Sequence, residues 1–141
     1  MIKFQLVSLS GIKYDQDVYE VILPTLDGEI GVLPGHMPLI SAATHGIISV
    51  RSQPSERDDM REFFAISGGV IEVADNTLRV LVDEADHADE INEAEAKKAV
   101  ELAQKMKSEA KDQVSLDQAQ SLIDRSTVRL QVAGLKRRRR S

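Results

Sequence analysis

The sequence has no cysteine and no tryptophan in 141 residues, and its only aromatic residues are two tyrosines and three phenylalanines. Without cysteine the chain has neither a disulfide scaffold nor a cysteine-based zinc or redox site. Because aromatic residues are so few, aliphatic side chains must fill the core. No apolar run approaches the roughly 20 residues that span a bilayer, and the first residues are not a signal peptide. We expect a chain that is soluble or peripheral to a larger assembly.

Motifs of common catalytic and metal sites are missing as well. The sequence contains no GxxxxGK[ST] phosphate loop and no HExxH, and its three histidines are scattered. The acidic stretch 83–89 lacks the glycine and the ligand spacing of a calcium loop, so we interpret it as a solvated linker. We expect no catalytic residue, no metal site and no cofactor in the isolated chain.

Charge divides the sequence into two parts. Residues 1–87 hold 6 basic against 14 acidic residues, a balance of −8, whereas residues 88–141 hold 12 against 9, a balance of +3. The cations are densest between Lys136 and Arg140. Such a contrast predicts two parts with different partners, and the length suits one domain with an appendage.

The first part has the pattern of an all-β domain. Ile2, Phe4 and Leu6 alternate with polar residues, and short apolar runs recur at 18–23, 47–50, 63–66, 70–73 and 77–82. Asp75-Asn76 predicts a hairpin tip, and the polar residues 53–61 predict a long loop of variable conformation. Short strands with frequent turns favour a sandwich or a barrel.

The apolar period becomes helical at about Asp86. One predicted helical face carries Ile91, Ala94, Lys98, Leu102 and Met106, with Ala99, Ala103 and Ala110 beside it. A second predicted helix follows an N-cap at Ser115, and one of its flanks carries Leu116, Ala119, Ile123 and Leu130. The short connection predicts an antiparallel hairpin. Because alanine buries little apolar area, at about 25 cal/mol per Å² we expect weak packing.

The most distinctive stretch is 27–40, which reads DGEIGVLPGHMPLI. Gly28, Gly31 and Gly35 predict backbone conformations that are closed to other residues, and the two prolines fix φ. We expect an ordered, rigid loop with Met37 near its surface. An ordered loop with an exposed apolar tip usually contacts a partner.

This stretch resembles the signature of the epsilon subunit of F-type ATP synthases, DGE-x-G-x-x-PGH-x-PL. The segments that resemble the family's later strands and last helix are 46–50, 64–73, 76–82 and 116–135. The resemblance implies a β + α fold. A β-sandwich of about ten strands docks on the rotor, and an antiparallel two-helix hairpin forms a regulatory domain. The corresponding domains are 1–87 and 88–141.

The resemblance implies a non-catalytic central-stalk subunit, which couples proton-driven rotation of the c-subunit ring to ATP synthesis through the gamma subunit. It implies a peripheral location at the cytoplasmic face of a bacterial plasma membrane, with the stromal face of the thylakoid less favoured. The interface with the ring and gamma falls on Glu29, Gly31, Gly35, His36, Met37 and Pro38. Of these, Glu29 and His36 supply polar contacts to the loops of the ring, and Met37 and Pro38 supply apolar contacts.

In this family the hairpin either folds against the sandwich or extends beside gamma into the alpha/beta hexamer, where it obstructs rotation in the hydrolysis direction. The implied inhibitory contacts to the catalytic subunits are Arg125, Arg129, Arg137, Arg138, Arg139 and Arg140. A coupling subunit without inhibition remains an alternative, because cations near the end of a helix also complement the helix dipole.

Nucleotide binding is the point at which the chain departs from part of the family. Some bacterial relatives bind ATP through Ile/Leu-Asp-x-x-Arg-Ala, where this chain reads Ile91-Asn92-Glu93-Ala94-Glu95-Ala96. Asn92 removes a carboxylate and Glu95 reverses a charge, although Arg125 and Arg129 match the family's later arginines. A carboxylate beside a triphosphate is repulsive, so we expect weak or absent ATP binding.

The basic tail leaves a second class of protein open. A β-sandwich with a cationic helix end could be an adaptor that binds nucleic acid or an anionic membrane. No aromatic residue accompanies the tail, and the sandwich is acidic. We therefore expect no nucleic-acid partner, and membrane association only through the complex.

Overall fold

The structure is a computed structural model, which describes the backbone of residues 1–140 and the side chains of residues 1–135. The side chains of Arg137, Arg138, Arg139 and Arg140, which the sequence assigns to inhibitory contacts, therefore lie outside the described residues.

Ten strands make up the N-terminal domain. They are β1 (Ile2–Ser8), β2 (Gly11–Val18), β3 (Glu20–Thr25), β4 (Gly28–Val32), β5 (Leu39–Ala43), β6 (Gly46–Arg51), β7 (Glu62–Ile66), β8 (Gly69–Ala74), β9 (Thr77–Val82) and β10 (Ala85–His87). Their order is β10-β7-β6-β3-β5-β8-β9-β1-β2, and β4 pairs with β3 outside this path. Strand β1 runs parallel to β9, and the other pairs are antiparallel. The predicted ten-stranded sandwich is confirmed.

The core lies between the two layers of the folded sheet and is mostly aliphatic, as the scarcity of aromatic residues predicts. Alternation along β1 buries Ile2, Phe4 and Leu6. The ring of Tyr14 packs 5.5 Å from that of Phe4 and 5.3 Å from that of Phe64. Burial, with the nearby Glu62 carboxylate, raises the pKa of Tyr14 to about 12, so Tyr14 stays neutral at physiological pH.

Two helices follow the sandwich, α1 (Glu93–Glu109) and α2 (Gln113–Arg140). The Asn92 side chain caps α1 by accepting the Glu95 N–H at 3.0 Å. The Asp112 carboxylate caps α2 by accepting the Ser115 N–H at 2.7 Å, and this bond lowers the pKa of Asp112. The predicted cap at Ser115 is therefore wrong: the capping residue lies three residues earlier, at Asp112, and Ser115 donates to it.

The helices pack through small side chains, as predicted, but α1 uses a different face from the predicted one. Ala96 and Ala103 of α1 are buried, together with Ala119 and Ser126 of α2. Leu102 is 58% exposed and Met106 42% exposed. Leu102 and Met106 therefore lie outside this contact, in which small side chains let the two helices approach closely.

Two predicted loops are more ordered than expected, and a third, which was expected to be ordered, contains a strand. The linker 83–89 contains strand β10, which pairs with β7 and buries Ala85. The stretch 27–40 contains β4, which forms a hairpin with β3. The loop 53–61 is held at its end by Arg61, which is only 7% exposed and pairs with Glu20.

Candidate functional site

The loop between β4 and β5, residues 33–38, is a short structured turn that we call the docking turn. The His36 N–H donates to the Leu33 carbonyl at 3.1 Å. Proline occupies the first central position, and Gly35, with φ +81°, occupies the second. These are the features of a type II β-turn, in which the second central residue needs the positive φ that glycine adopts without strain.

The docking turn projects an apolar tip. The Met37 side chain is 76% exposed, and Pro38 is exposed beside it. His36 is half-buried, and its Nδ1 lies 2.7 Å from the Met37 carbonyl oxygen. Because a carbonyl oxygen only accepts hydrogen bonds, Nδ1 is the donor and the His36 ring is fixed against its own turn. The turn thus presents a thioether and a proline ring on a rigid backbone.

The other two predicted interface residues lie on strand β4. Glu29 is exposed, and it lines a groove with Glu20, Arg51 and Leu135 at the end of the described part of α2. Gly31 pairs with Ile22, and an added Cβ there would have no atom within 4 Å. The predicted need for glycine at Gly31 is therefore wrong, because the residue has ordinary strand geometry with open space beside it.

An exposed apolar row crosses the sheet and was missed by the sequence reading. Its members are neighbours in register on five adjacent strands, β5, β8, β9, β1 and β2: Ala42, Val70, Leu81, Val7 and Ile12. All but the half-buried Val7 are exposed. The signal in the sequence was the presence of apolar residues on both faces of β8 and β9, where a half-solvated strand would alternate with polar ones.

The hairpin lies against the sandwich along an ion-paired boundary that we call the arginine seam. Arg125 Nη1 lies 3.4 Å from Glu84 Oε1, and Arg129 forms a hydrogen-bonded ion pair with Asp86. Arg129 is 39% exposed and Asp86 25% exposed in their side chains. Two of the predicted inhibitory cations are thus paired within the chain, and the supposed solvated linker supplies their partners.

An apolar patch lies beyond the seam. Val132 and Ala133 of α2 pack on Ala65 of β7, with Ile47 and Phe63 at the margin. Ala88, Ile91 and Ala96 are buried in the same cluster, and Val128 and Leu130 pack against it. The patch and the seam together hold the hairpin in its folded position.

A cavity of about 450 Å³ lies between the helices and the sandwich, beside the seam. Glu84, Glu95, Arg125 and Arg129 line it. Two carboxylates therefore line the same cavity as both arginines. Asn92, which replaces the aspartate of the nucleotide motif, is used to cap α1. The cavity brings together the residues considered for nucleotide binding, but its charges are largely compensated internally.

Within the described residues, no group of three or more metal-ligating side chains is clustered, and no helix is long and apolar enough to cross a membrane.

Comparison with known proteins assigns both parts of the fold. The family model of the β-sandwich domain of ATP synthase delta/epsilon chains matches residues 1–88, and that of the long α-helix domain matches residues 89–134. The chain is 33% identical to the ATP synthase epsilon chain of Herpetosiphon aurantiacus over 98% of both chains. It is 40% identical to that of Xanthomonas campestris over 81% of this chain and 77% of the relative.

A solved structure agrees with these matches. A chain of the Euglena gracilis mitochondrial ATP synthase, in an assembly of OSCP, F1 and c-ring, superposes with a TM-score of 0.78 and 25% identity, over 94% of this chain and 80% of that chain. The sandwich and its appended hairpin thus define a stalk component of a rotary ATP synthase. The chain belongs to the epsilon subunits of the F-type ATP synthases.

Proposed function

We propose that the chain is a non-catalytic rotor subunit that couples proton-driven rotation of the c-subunit ring to ATP synthesis through gamma. In this proposal residues 1–87 dock on the rotor, and residues 88–141 regulate ATP hydrolysis. The observation that carries the docking role is the docking turn, whose exposed Met37 stands on a rigid type II turn. A rigid apolar tip loses little entropy on binding, which favours a permanent contact between rotating parts.

We assign the tip to the ring and the apolar row to gamma. The tip is small and local, as a contact with the loops of a ring requires. The row spans five strands of an otherwise acidic domain, so it is the better fit to a larger protein surface. Glu29, on the outside of β4, supplies the flanking polar contact. The bacterial relatives favour a position at the cytoplasmic face of the plasma membrane.

The docking role predicts that Met37→Asp weakens binding of the chain, with its gamma partner, to purified c rings. We expect about a 5- to 30-fold loss, the effect of 1–2 kcal/mol at a central interface residue. The melting temperature should stay unchanged because Met37 is exposed. Met106→Asp, at an exposed methionine of α1, is the matched control and should bind normally. Equal ring affinity of the two variants would contradict the docking role.

We propose further that the hairpin inhibits ATP hydrolysis when it extends toward the alpha/beta hexamer. The arginine seam supports this role, since the cations available to acidic segments of the hexamer are held in the folded state by replaceable surface ion pairs. Small-residue packing in the hairpin adds little resistance to opening. Two states that differ by only a few kcal/mol can be exchanged by a partner or a ligand.

We expect no micromolar ATP binding by the isolated chain. Glu84 and Glu95 line the cavity that contains Arg125 and Arg129, so a triphosphate would face carboxylates as well as guanidinium groups. Isothermal titration calorimetry of the full chain with ATP, with and without Mg²⁺, should give no saturable heat up to millimolar ATP. The double variant Glu84→Gln/Glu95→Gln is the comparison. Because it removes the two carboxylates that oppose the triphosphate, its affinity for ATP should be higher than that of the unmodified chain. Micromolar affinity of the unmodified chain for ATP would contradict this prediction, because it would show that the attraction of the arginines outweighs the repulsion of the carboxylates.

A further inference from the structure

Asn76 joins three separate segments of the sandwich at the end that carries the docking turn. Its side-chain Oδ1 accepts the Gly35 N–H at 2.9 Å, and its Nδ2 donates to the Met1 carbonyl at 2.8 Å. Its own carbonyl accepts the Lys3 N–H at 3.2 Å. One residue of the β8–β9 turn thus connects the first residues of the chain to the docking turn.

The local backbone explains why asparagine is suited to this position. Asp75 and Asn76 both have positive φ, 50° and 55°, as a type I′ hairpin turn requires. Asparagine tolerates this conformation better than most residues and brings both a donor and an acceptor. The short side chain reaches Gly35 because the β8–β9 turn and the docking turn lie at the same end of the sheet, where Leu39 pairs with Val73.

The bond to Gly35 constrains the most pliable point of the docking turn. Gly35 is the residue whose backbone determines the turn type, and glycine has the widest choice of alternative conformations. Without the bond the Gly35 N–H would face solvent, and the turn would rely on the two bonds of His36, from its N–H to the Leu33 carbonyl and from its Nδ1 to the Met37 carbonyl. The direction of Met37, two residues further along, would then be less constrained.

We infer that Asn76 is a positioning residue, which holds the docking turn in its binding conformation through the Gly35 N–H. This inference rests on the proposed docking function. Asn76 acts on the ring contact through Gly35, so its loss raises the entropy that the turn must give up on binding.

Two substitutions separate the bonds that Asn76 makes. Asn76→Gly deletes both side-chain bonds yet suits a type I′ turn, so the hairpin itself should form normally. Asn76→Asp keeps an acceptor for the Gly35 N–H and loses the donor to the Met1 carbonyl. If Asn76 positions the turn, the two variants differ in their affinity for the ring. If it only stabilises the sheet, the loss of ring affinity in each variant follows the fall in its melting temperature.

The test compares the full-length variants, assembled with gamma, for affinity toward purified c rings and for hydrogen exchange at the Gly35 amide. One net hydrogen bond corresponds to about a three- to tenfold effect. Asn76→Gly should therefore bind rings about three- to tenfold more weakly and exchange the Gly35 amide faster by a similar factor. Asn76→Asp should retain both ring affinity and Gly35 protection.

Unchanged ring affinity or unchanged Gly35 exchange in Asn76→Gly would overturn the inference, as would equal losses of ring affinity in the two variants. Met37→Asp, measured in parallel, isolates the proposed function. If Met37→Asp binds normally, the docking function fails, and the Gly35 exchange rates alone then decide whether Asn76 fixes the turn.

Discussion

Neutralising the two carboxylates of the arginine seam should lower ATP hydrolysis by the assembled complex, whereas neutralising the two arginines should raise it. Glu84→Gln/Asp86→Asn and Arg125→Gln/Arg129→Gln break the same two ion pairs. Both double variants therefore release the hairpin from the sandwich to the same extent. They differ only in whether the released helix still carries the cations that the catalytic subunits attract.

The size of the effect follows from the exposure of the pairs. Exposed ion pairs contribute about 0.2–1 kcal/mol each, and the Arg125 and Glu84 side chains are 37% and 58% exposed. Loss of both pairs should change the ratio of folded to extended hairpin by about two- to thirtyfold. The carboxylate variant should gain inhibition by this factor. The arginine variant should lose inhibition, because extension no longer places these two cations against the hexamer.

The measurement is steady-state ATP hydrolysis by complexes reconstituted with each variant, at two salt concentrations. Glu90→Gln serves as the matched control, since it removes an ion pair between Glu90 and Lys13 that involves neither α2 nor the seam. The difference between the double variants should shrink at high salt because surface charges are screened. A shift of both double variants in the same direction would show that the arginines only fasten the hairpin.

Replacing Gly69 with alanine should destabilise the sandwich more than any other single methyl group added at a glycine. A Cβ at Gly69 would stand 2.0 Å from the Leu81 carbonyl oxygen and 2.9 Å from the carbonyl carbon. Both are backbone atoms of the neighbouring strand β9, so neither can rotate away. Strands β8 and β9 would have to separate, at a cost on the order of 3–5 kcal/mol, typical of severe core disruptions.

Gly134→Ala is the matched control for Gly69→Ala. Gly134 lies within α2, and an added Cβ would meet no atom within 4 Å. Alanine there should stabilise the helix, by at most about 1 kcal/mol. Urea denaturation followed by circular dichroism should show a much lower midpoint for Gly69→Ala with an unchanged slope. Similar midpoints for the two variants would mean that β8 and β9 are not packed as closely as described.

The large features of the fold could be predicted because they depend on repeated local patterns. Short β-branched runs bounded by turn residues gave the sandwich, and Asp75-Asn76 correctly marked a hairpin tip. Alanine spacing indicated a hairpin packed through small residues, which Ala96, Ala103 and Ala119 confirm. The family signature in 27–40 contains the turn that exposes Met37, as the sequence predicted.

The errors arose where the partner of a residue is distant in sequence. None of the predicted runs covers residues 11–17, because the edge strand β2 buries only Val18 and so lacks a clear alternation. The acidic residues Glu84 and Asp86 looked like a solvated linker until their partners on α2 were in place. Nothing in the sequence near Gly69 indicates the close approach of β9 that requires a glycine there. None of these relations has a local sequence signal.

The central claim is that the docking turn faces the ring in the working complex, and photo-cross-linking tests it directly. The sequence has no cysteine, so a single Met37→Cys carries one photoreactive maleimide, and Met106→Cys on α1 serves as the comparison. On illumination of the assembled complex, position 37 should give a covalent product with the c subunit and position 106 should not. A product of position 37 with alpha or beta, or no difference between the two positions, would contradict the account.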